Sequence, residues 1–548
     1  ANTALQDQEP TELCHSFDYS RVQYHEALLA QRHADNRFAR FQGMRIASIE
    51  FARVDVFDED NPDENNSLYR LVNTLNMRTR KSAIAPQLLF NVGGQLDPAE
   101  VAETERNLRA RSYLADAYVM PVASCHDEVH LVVVTQDAWT TQPIVSASRE
   151  GGRNESKFGL VEGNFLGTGS EISIVFKKTD DRSSIGYGVR KDYLFDKPLR
   201  IKFGYSDNSD GESHAFNFGK PFYTDATRWG FDVKLEKSDA TQTVEQNEKE
   251  IASYQLESTL QSTHAAWQFD LSSANVWRLY TGLTQLRNHY SEYEGLAGIE
   301  PVNQGDLLYP WFAIEKKSTQ YIVLKNINYI ETVEDIQVGA SWSATLGYSP
   351  EKDENASAII AAGEYQQLFA NRHRVYEIVA SLNSVNYEQS EKSYFDASLA
   401  LNSWWLRGER HRIFAGVQID LADPDAIHNA VSLGGARGVR GYPAFYVLGN
   451  RSISSTVEYR YHSGLHLLNI LRMGFAAYAD AGILEDTRFN LDNGGYDRDG
   501  LANVGLGLRI TSSKTHVDSI VHIDIAKPVG YKKAAGDYQV LLRAEKRF

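Results

Sequence analysis

The sequence predicts a transmembrane antiparallel β-barrel preceded by one small N-terminal α/β domain. Three observations point there. From Pro143 to Phe548 the chain runs as segments of roughly 8–15 residues that alternate in hydrophobicity, separated by polar turns rich in Gly, Asp and Asn. Aromatic residues are abundant, with 29 Tyr, 24 Phe and 8 Trp, as the interfacial girdles of such a barrel require. No run of 18 apolar residues is present, so no transmembrane helix competes for the span. The mean hydropathy of −0.41 fits, because apolar and polar faces average out along each strand.

The net charge of −16 argues against nucleic acid as a partner, since phosphate contacts need clustered Lys and Arg. Cys14 and Cys125 are the only cysteines. Neither has a metal-ligand neighbour at useful spacing, so no metal and no cofactor is expected. Two fates are open to them: one disulfide, worth a few kcal/mol in an oxidising compartment, or two unpaired thiols. Ala1 opens a polar, Pro-containing segment, which reads as a mature chain with its targeting segment removed.

Residues 1–40 are polar with a helical middle, roughly Tyr19 to Arg37, whose weak apolar stripe is Val22, Leu28, Leu29 and Phe38. Such a helix either packs on the next domain or reaches into a pore. Residues 41–140 form the α/β domain. Met44 to Phe57 alternates as a strand, and Asp58 to Asn66 is an acidic turn. A helix is expected from Ser82 to Phe90, ended by Gly93-Gly94. Asp97-Pro98-Ala99-Glu100 starts another, with Asp as N-cap, Pro at N1 and Glu at N3. It runs to about Arg111, and strands Ala115–Val122 and Val129–Thr135 close the unit.

Residues 141–548 supply the barrel, with the connection 421–451 folded inward. The last five strands are the clearest. Ile453, Val457, Tyr459 and Tyr461 oppose Ser454, Thr456, Glu458, Arg460 and His462. Met473, Phe475, Ala477, Ala479 and Ala481 oppose Arg472, Tyr478 and Asp480. Val504, Leu506, Leu508 and Ile510 oppose Asn503 and Arg509. Val521, Ile523 and Ile525 oppose His522 and Asp524. Val540 and Leu542 oppose Gln539 and Arg543, and the chain ends on Phe548. Charges on one face suit a watery lumen with lipid outside, whereas a soluble sandwich would invert the pattern, and alternation alone does not separate the two. The number of strands favours closure, because so long a sheet needs its edges paired.

Residues 434–442 read Gly-Gly-Ala-Arg-Gly-Val-Arg-Gly-Tyr, with four glycines in nine residues to let the backbone fold back on itself. About forty residues on comes Tyr478-Ala479-Asp480-Ala481-Gly482. An arginine on a folded-in loop and a carboxylate on an inward strand face make a plausible buried ion pair. This pairing resembles the superfamily of BamA, TamA and the two-partner-secretion transporters, in which a VRGF/Y loop docks on an FxDxG strand. The turn Glu162-Gly163-Asn164-Phe165-Leu166-Gly167-Thr168-Gly169 is similar to the family's turn after an early strand. The β-α-α-β-β order of 41–140 resembles the family's periplasmic POTRA domain.

The resemblance implies a lumen latch of Arg437, Gly438, Val439, Arg440, Gly441 and Tyr442, with Asp480 and Glu458 as partners and Phe548 as a C-terminal barrel signal. It implies sixteen strands, although the alternating segments exceed that number between Glu250 and Trp405. It also implies a bacterial outer membrane, with the POTRA domain in the periplasm and a client polypeptide recruited by it. The client would pass through the lumen or through a seam between Ile144–Arg149 and Tyr538–Phe548. The expected partners are the lipid bilayer, an unfolded or nascent polypeptide, and an accessory periplasmic or surface protein. A lipid-directed or structural barrel is the alternative. No enzyme is expected: there is no Gly-x-Ser-x-Gly elbow, and His25-Glu26 and His33 lack zinc-protease spacing.

Overall fold

A computed structural model describes residues 15–16, 38–57, 59, 66–150, 153–246, 249–272, 274–295, 306–351, 356–388, 393–423, 430–435, 438–485, 500–514, 520–530 and 535–545. The expected Tyr19–Arg37 helix therefore lies outside the described residues.

The α/β unit is a four-stranded sheet in the order β1-β3-β4-β2, formed by β1 (His15–Ser16), β2 (Arg45–Val54), β3 (Leu114–Cys125) and β4 (Glu128–Asp137). β2 runs parallel to β4, and the other pairs are antiparallel. Its core is conventional. Ile46, Leu108, Val119, Val129, Leu131 and Val133 are buried together on one side. Tyr118, Met120, Val132 and Val134 are buried on the other. Helices α1 (Ser67–Leu75), α2 (Lys81–Ile84) and α3 (Pro98–Arg109) complete the unit. At α3 the Asp97 carboxylate accepts from Ala99 N at 2.9 Å, with Pro98 in the first turn. The helix expected at Ser82–Phe90 is shorter, because it gives way to a 3-10 turn at Ala85–Gln87, where Pro86 lacks the N–H that an α-helix needs. Cys125 is disulfide-bonded, while Cys14, its expected partner, lies outside the described residues.

The rest of the chain builds one large antiparallel sheet, from β5 (Thr141–Glu150) and β6 (Arg153–Phe165) to β27 (Gln539–Glu545). Successive strands pair with one another, and the order returns to its start where Leu542 of β27 faces Arg149 of β5. Among the described residues the order holds twenty-one strands, not sixteen, one of which, β15 (Gln320–Lys325), pairs with β16 (Val333–Ser349) in a sheet of its own while β14 (Leu307–Ser318) pairs with β16 directly. The surplus segments between Glu250 and Trp405 are strands, of which β15 belongs to a hairpin outside the wall. Two of them, β12 (Lys249–Leu271) and β13 (Asn275–Gly295), reach 23 and 21 residues. Sixteen came from the resemblance and not from the alternating segments, which already exceeded it.

The two faces of this sheet have opposite chemistry. Exposed positions carry Phe312 (68%), Leu506 (68%), Leu346 (61%) and Ile525 (58%). Covered positions carry Glu458, Arg460, Asp480, Asn503, Arg509 and Asp524. Along β26 (Ile520–Pro528) burial alternates at every residue, with His522 and Asp524 covered and Val521, Ile523 and Ile525 exposed. Apolar side chains face out and charges face in, which is the reverse of a water-soluble sandwich.

The α/β unit docks on the turns at one rim of the ring. Asn164 donates from Nδ2 to Met77 O at 2.8 Å and to Thr79 Oγ1 at 2.9 Å. Gly167 O accepts from Arg80 N at 2.8 Å, so the Glu162–Gly169 turn is a docking turn. Further contacts are Trp139 N to Lys514 O at 2.8 Å, Arg111 to Asp192 at 3.3 Å, and Asp225 N to the Glu103 carboxylate at 2.6 Å.

Candidate functional site

Between β20 (His411–Ala422) and β23 (Arg451–Leu467) the chain leaves the ring. It makes a small two-stranded ribbon of β21 (Val431–Leu433) and β22 (Val447–Gly449). This segment lies on the covered face. Leu433, Val439, Tyr442, Tyr446 and Val447 are buried together with Leu484 and Leu501 of the wall. The loop turns back on itself through Gly435 N to Tyr442 O at 2.9 Å. Gly441 passes so close to β25 (Leu501–Ser512) that a Cβ there would stand 2.5 Å from Asn503 Cβ. Tyr442 OH meets Ala502 O at 3.2 Å.

Arg440 is the centre of the cluster. Its Nε and Nη2 donate to the two oxygens of Asp480 at 2.9 and 2.8 Å, a bidentate fork. Its Nη1 donates to Glu458 Oε2 at 2.8 Å. Its guanidinium lies 3.3 Å from the ring centre of Tyr478, a cation–π contact. Asp480 accepts further from Thr456 Oγ1 at 2.9 Å and Asn503 Nδ2 at 3.0 Å. Asn503 in turn accepts from Gly441 N at 3.1 Å. The carboxylate is thus fully engaged at zero side-chain exposure.

The charges continue along the wall. Arg460 Nε donates to Glu458 Oε1 at 2.9 Å. Arg509 bridges Glu458 at 3.8 Å and Asp524 at 2.8 Å, and Arg543 reaches Asp524 at 3.4 Å. The site therefore joins the loop to β23, β24 (Leu471–Glu485), β25, β26 and β27. These are the strands leading to the junction where the ring closes. Among the described residues β26 and β27 are in register from Ile520↔Glu545 to Ala526↔Gln539, while β27 meets β5 at Leu542↔Arg149.

The structure brings Arg440, Glu458 and Asp480 together and seats Val439, Gly441 and Tyr442 against the wall. Gly438 approaches Ser454, which a Cβ would crowd at 3.0 Å. Arg437 and Phe548 lie outside the described residues. Asn503, Thr456, Arg509, Asp524 and Arg543 complete the cluster without having been singled out as site residues. Their signal was present, since all lie on polar strand faces, but only the register of neighbouring strands brings them to one place. Among the described residues no group of His, Cys, Asp and Glu could hold a metal ion.

A large antiparallel sheet with its apolar face outward, a docked α/β unit and an arginine-centred loop on its polar face define the kind of protein this is. Solved structures similar to this chain include BamA and CdiB. BamA from Haemophilus ducreyi lacking POTRA domains 1–3 has a TM-score of 0.40 and 11% identity, covering 92% of this chain and 84% of that one. CdiB from Escherichia coli has a TM-score of 0.49 and 12% identity, covering 92% of this chain and 77% of that one. CdiB from Acinetobacter baumannii has a TM-score of 0.46 and 11% identity, covering 93% and 74%. No family model and no curated protein matches the chain.

Proposed function

We propose that the ring of strands is a transmembrane barrel in a bacterial outer membrane, that the α/β unit is a periplasmic POTRA domain, and that the protein moves polypeptides into or across that membrane. The observation that carries the reading is the inverted sheet, apolar outside and charged inside. In water that arrangement would expose a belt of Phe, Leu and Ile far larger than the patches soluble proteins tolerate. In a bilayer the same belt is the stabilising surface.

A client is engaged at the α/β domain, whose edge strand β2 is paired with β4 on one side, is covered at its start by Gly93–Leu96 on the other, and offers the rest of that edge for strand addition. The space between α3, the rim turns and the wall is a cavity of about 1630 Å³ lined by Glu103, Arg106 and Arg109, large enough for an extended segment. From there the route is the lumen or the β27–β5 junction. The Arg440 cluster fixes the inward loop. Such buried pairs add little net stability, but they define one position, because any other leaves charges unpaired.

A photo-crosslinking residue at Ile144, beside the junction, tests this in cells. Adducts with a barrel precursor or a secreted polypeptide support the transport reading. Adducts confined to lipid or to β27 would sink it in favour of a lipid-directed or structural barrel.

A further inference from the structure

A second segment lies on the covered face, and it enters from the rim that carries the α/β unit. β14 (Leu307–Ser318) and the second half of β16 (Val333–Ser349) pair in the wall, from Trp311↔Gly347 to Lys316↔Trp342. Beyond them, β15 (Gln320–Lys325) pairs with the first half of β16 in a sheet of its own, from Gln320↔Val338 to Lys325↔Val333. The change falls at Ser318 and Gly339. Gly339 has φ +95°, and a Cβ there would meet Ser318 Oγ at 2.8 Å. One glycine in a conformation that other residues resist thus bends the hairpin out of the wall.

The hairpin then crosses the ring. Its flank, with Ile322, Leu324 and Ile336, packs on Leu368, Val375 and Trp404 of the wall. Its tip places Ile330, fully buried, against Ala476 of β24 and Ile520 of β26. Five wall strands separate β16 from β24 in the ring order. The tip is held through its main chain. Arg412 donates from Nε to Asn326 O and from Nη2 to Lys325 O, both at 3.1 Å. Arg472 Nη1 donates to Glu331 O at 2.8 Å. The Glu334 carboxylate shapes the turn, accepting from the N–H groups of Ile327, Asn328 and Tyr329 at 2.8, 3.0 and 3.2 Å. On its other side the hairpin is gripped by α3. Arg109 pairs with Asp335 at 2.8 Å, and the Arg106 guanidinium lies 4.8 Å from the Tyr321 ring centre.

We propose that residues 319–338 are a gate across the domain-side mouth of the barrel, distinct from the Arg440 loop, and that α3 holds it closed so that a client loading the α/β domain releases it. The proposal rests on the transport reading. The geometry suits a gate better than a fixed wall. The hairpin is anchored at one end by β14 and β16, hinges at a single glycine, and is tied to the mobile-client side by a partly solvated ion pair.

Conductance of the full chain in planar lipid bilayers tests it. Replacing residues 321–336 with a two-residue turn is expected to raise the conductance several-fold. Arg109→Ala is expected to raise the open fraction about two- to fivefold, the scale of one partly exposed ion pair. Wild-type conductance in a shortened protein that still inserts would overturn the gate. Should the shortened variant fail to insert, Ile330→Cys with Ala476→Cys decides. Oxidation should abolish openings and Ile144 crosslinks to client, and reduction should restore both. Crosslinks undiminished by oxidation would overturn the gate, whereas no client crosslinks in wild type would overturn the transport reading instead.

Discussion

The α/β unit and the ring use the same alternation of apolar and polar residues with opposite sign. In β3 and β4, Val119, Leu131 and Val133 are buried. In β25 and β26, Leu506 and Ile525 are exposed while Arg509 and Asp524 have no side-chain exposure at all. If the ring spans a membrane as proposed, one chain folds against two solvents. The unit buries apolar surface away from water, where each fully buried aliphatic side chain contributes about 1.5–3 kcal/mol. In the proposed membrane setting the ring turns its apolar surface toward lipid and must instead pair its interior charges with one another, as Arg440, Arg460, Arg509 and Arg543 pair with Glu458, Asp480 and Asp524.

Arginine substitutions separate the surroundings of the α/β unit and of the ring by the largest margin. Leu131→Arg buries an unpaired charge among Val129, Val133 and Leu108 and is expected to unfold the α/β domain, costing more than about 4 kcal/mol. Leu506→Arg faces lipid and is expected to cost about 2–4 kcal/mol if it lies at mid-depth, less near an interface. The urea midpoints of the domain and of the inserted ring, read in the same intact protein, separate the two. Equal effects, or a silent Leu506→Arg, would remove the distinction between the two solvents.

Charge removal inside the ring comes next. Arg440→Ala takes from Asp480 its bidentate arginine, while Glu458 keeps Arg460 and Arg509, and is expected to cost about 3–5 kcal/mol, since one partner of a buried pair is lost. It should make the 430–449 segment cleavable by protease and lower client export. Unchanged protease resistance would contradict the latch. Asp480→Asn acts in the same direction, and the double variant should fall short of additivity by about 0.5–3 kcal/mol in a double-mutant cycle. Full additivity would mean that the two residues do not work as partners.

The smallest effect concerns a titrating group in the α/β unit. Burial pushes the Asp137 carboxyl up to about 6, against the lowering effect of its hydrogen bond from Thr79 N at 2.9 Å. A folded-state value above the unfolded one, about 3.9, means that the domain holds the proton more tightly than the open chain. Stability should then fall as pH rises from about 4 to 6. Asp137→Asn should keep the Thr79 bond, flatten that fall and raise the urea midpoint of the domain at pH 7. A wild-type midpoint that is flat from pH 4 to 7 would rule this out.

Much of this architecture is legible in the sequence where one residue's neighbours decide its environment. The late strands alternate cleanly, and Asp97-Pro98-Glu100 marks α3. Arg440 and Asp480 stand out as charges in Gly- and Ala-rich surroundings. The elements expected for 41–140 omit helix α1, although Leu68, Leu71, Val72 and Leu75 stand at helical spacing and Asn66 caps its start. What the sequence hides is non-local. Asn503, Arg509 and Asp524 join the cluster only through strand register. The hairpin at 319–338 reads as ordinary strand, because its departure from the wall depends on the backbone at Gly339 and on arginines about 80–140 residues away.

A nitroxide at Leu506, in protein reconstituted into vesicles, reports whether the outer face of the ring meets lipid. High accessibility to dissolved oxygen and low accessibility to a water-soluble nickel chelate are expected. A label at Leu506 quenched by the chelate as strongly as one at the exposed Leu75 of α1 would contradict contact with lipid.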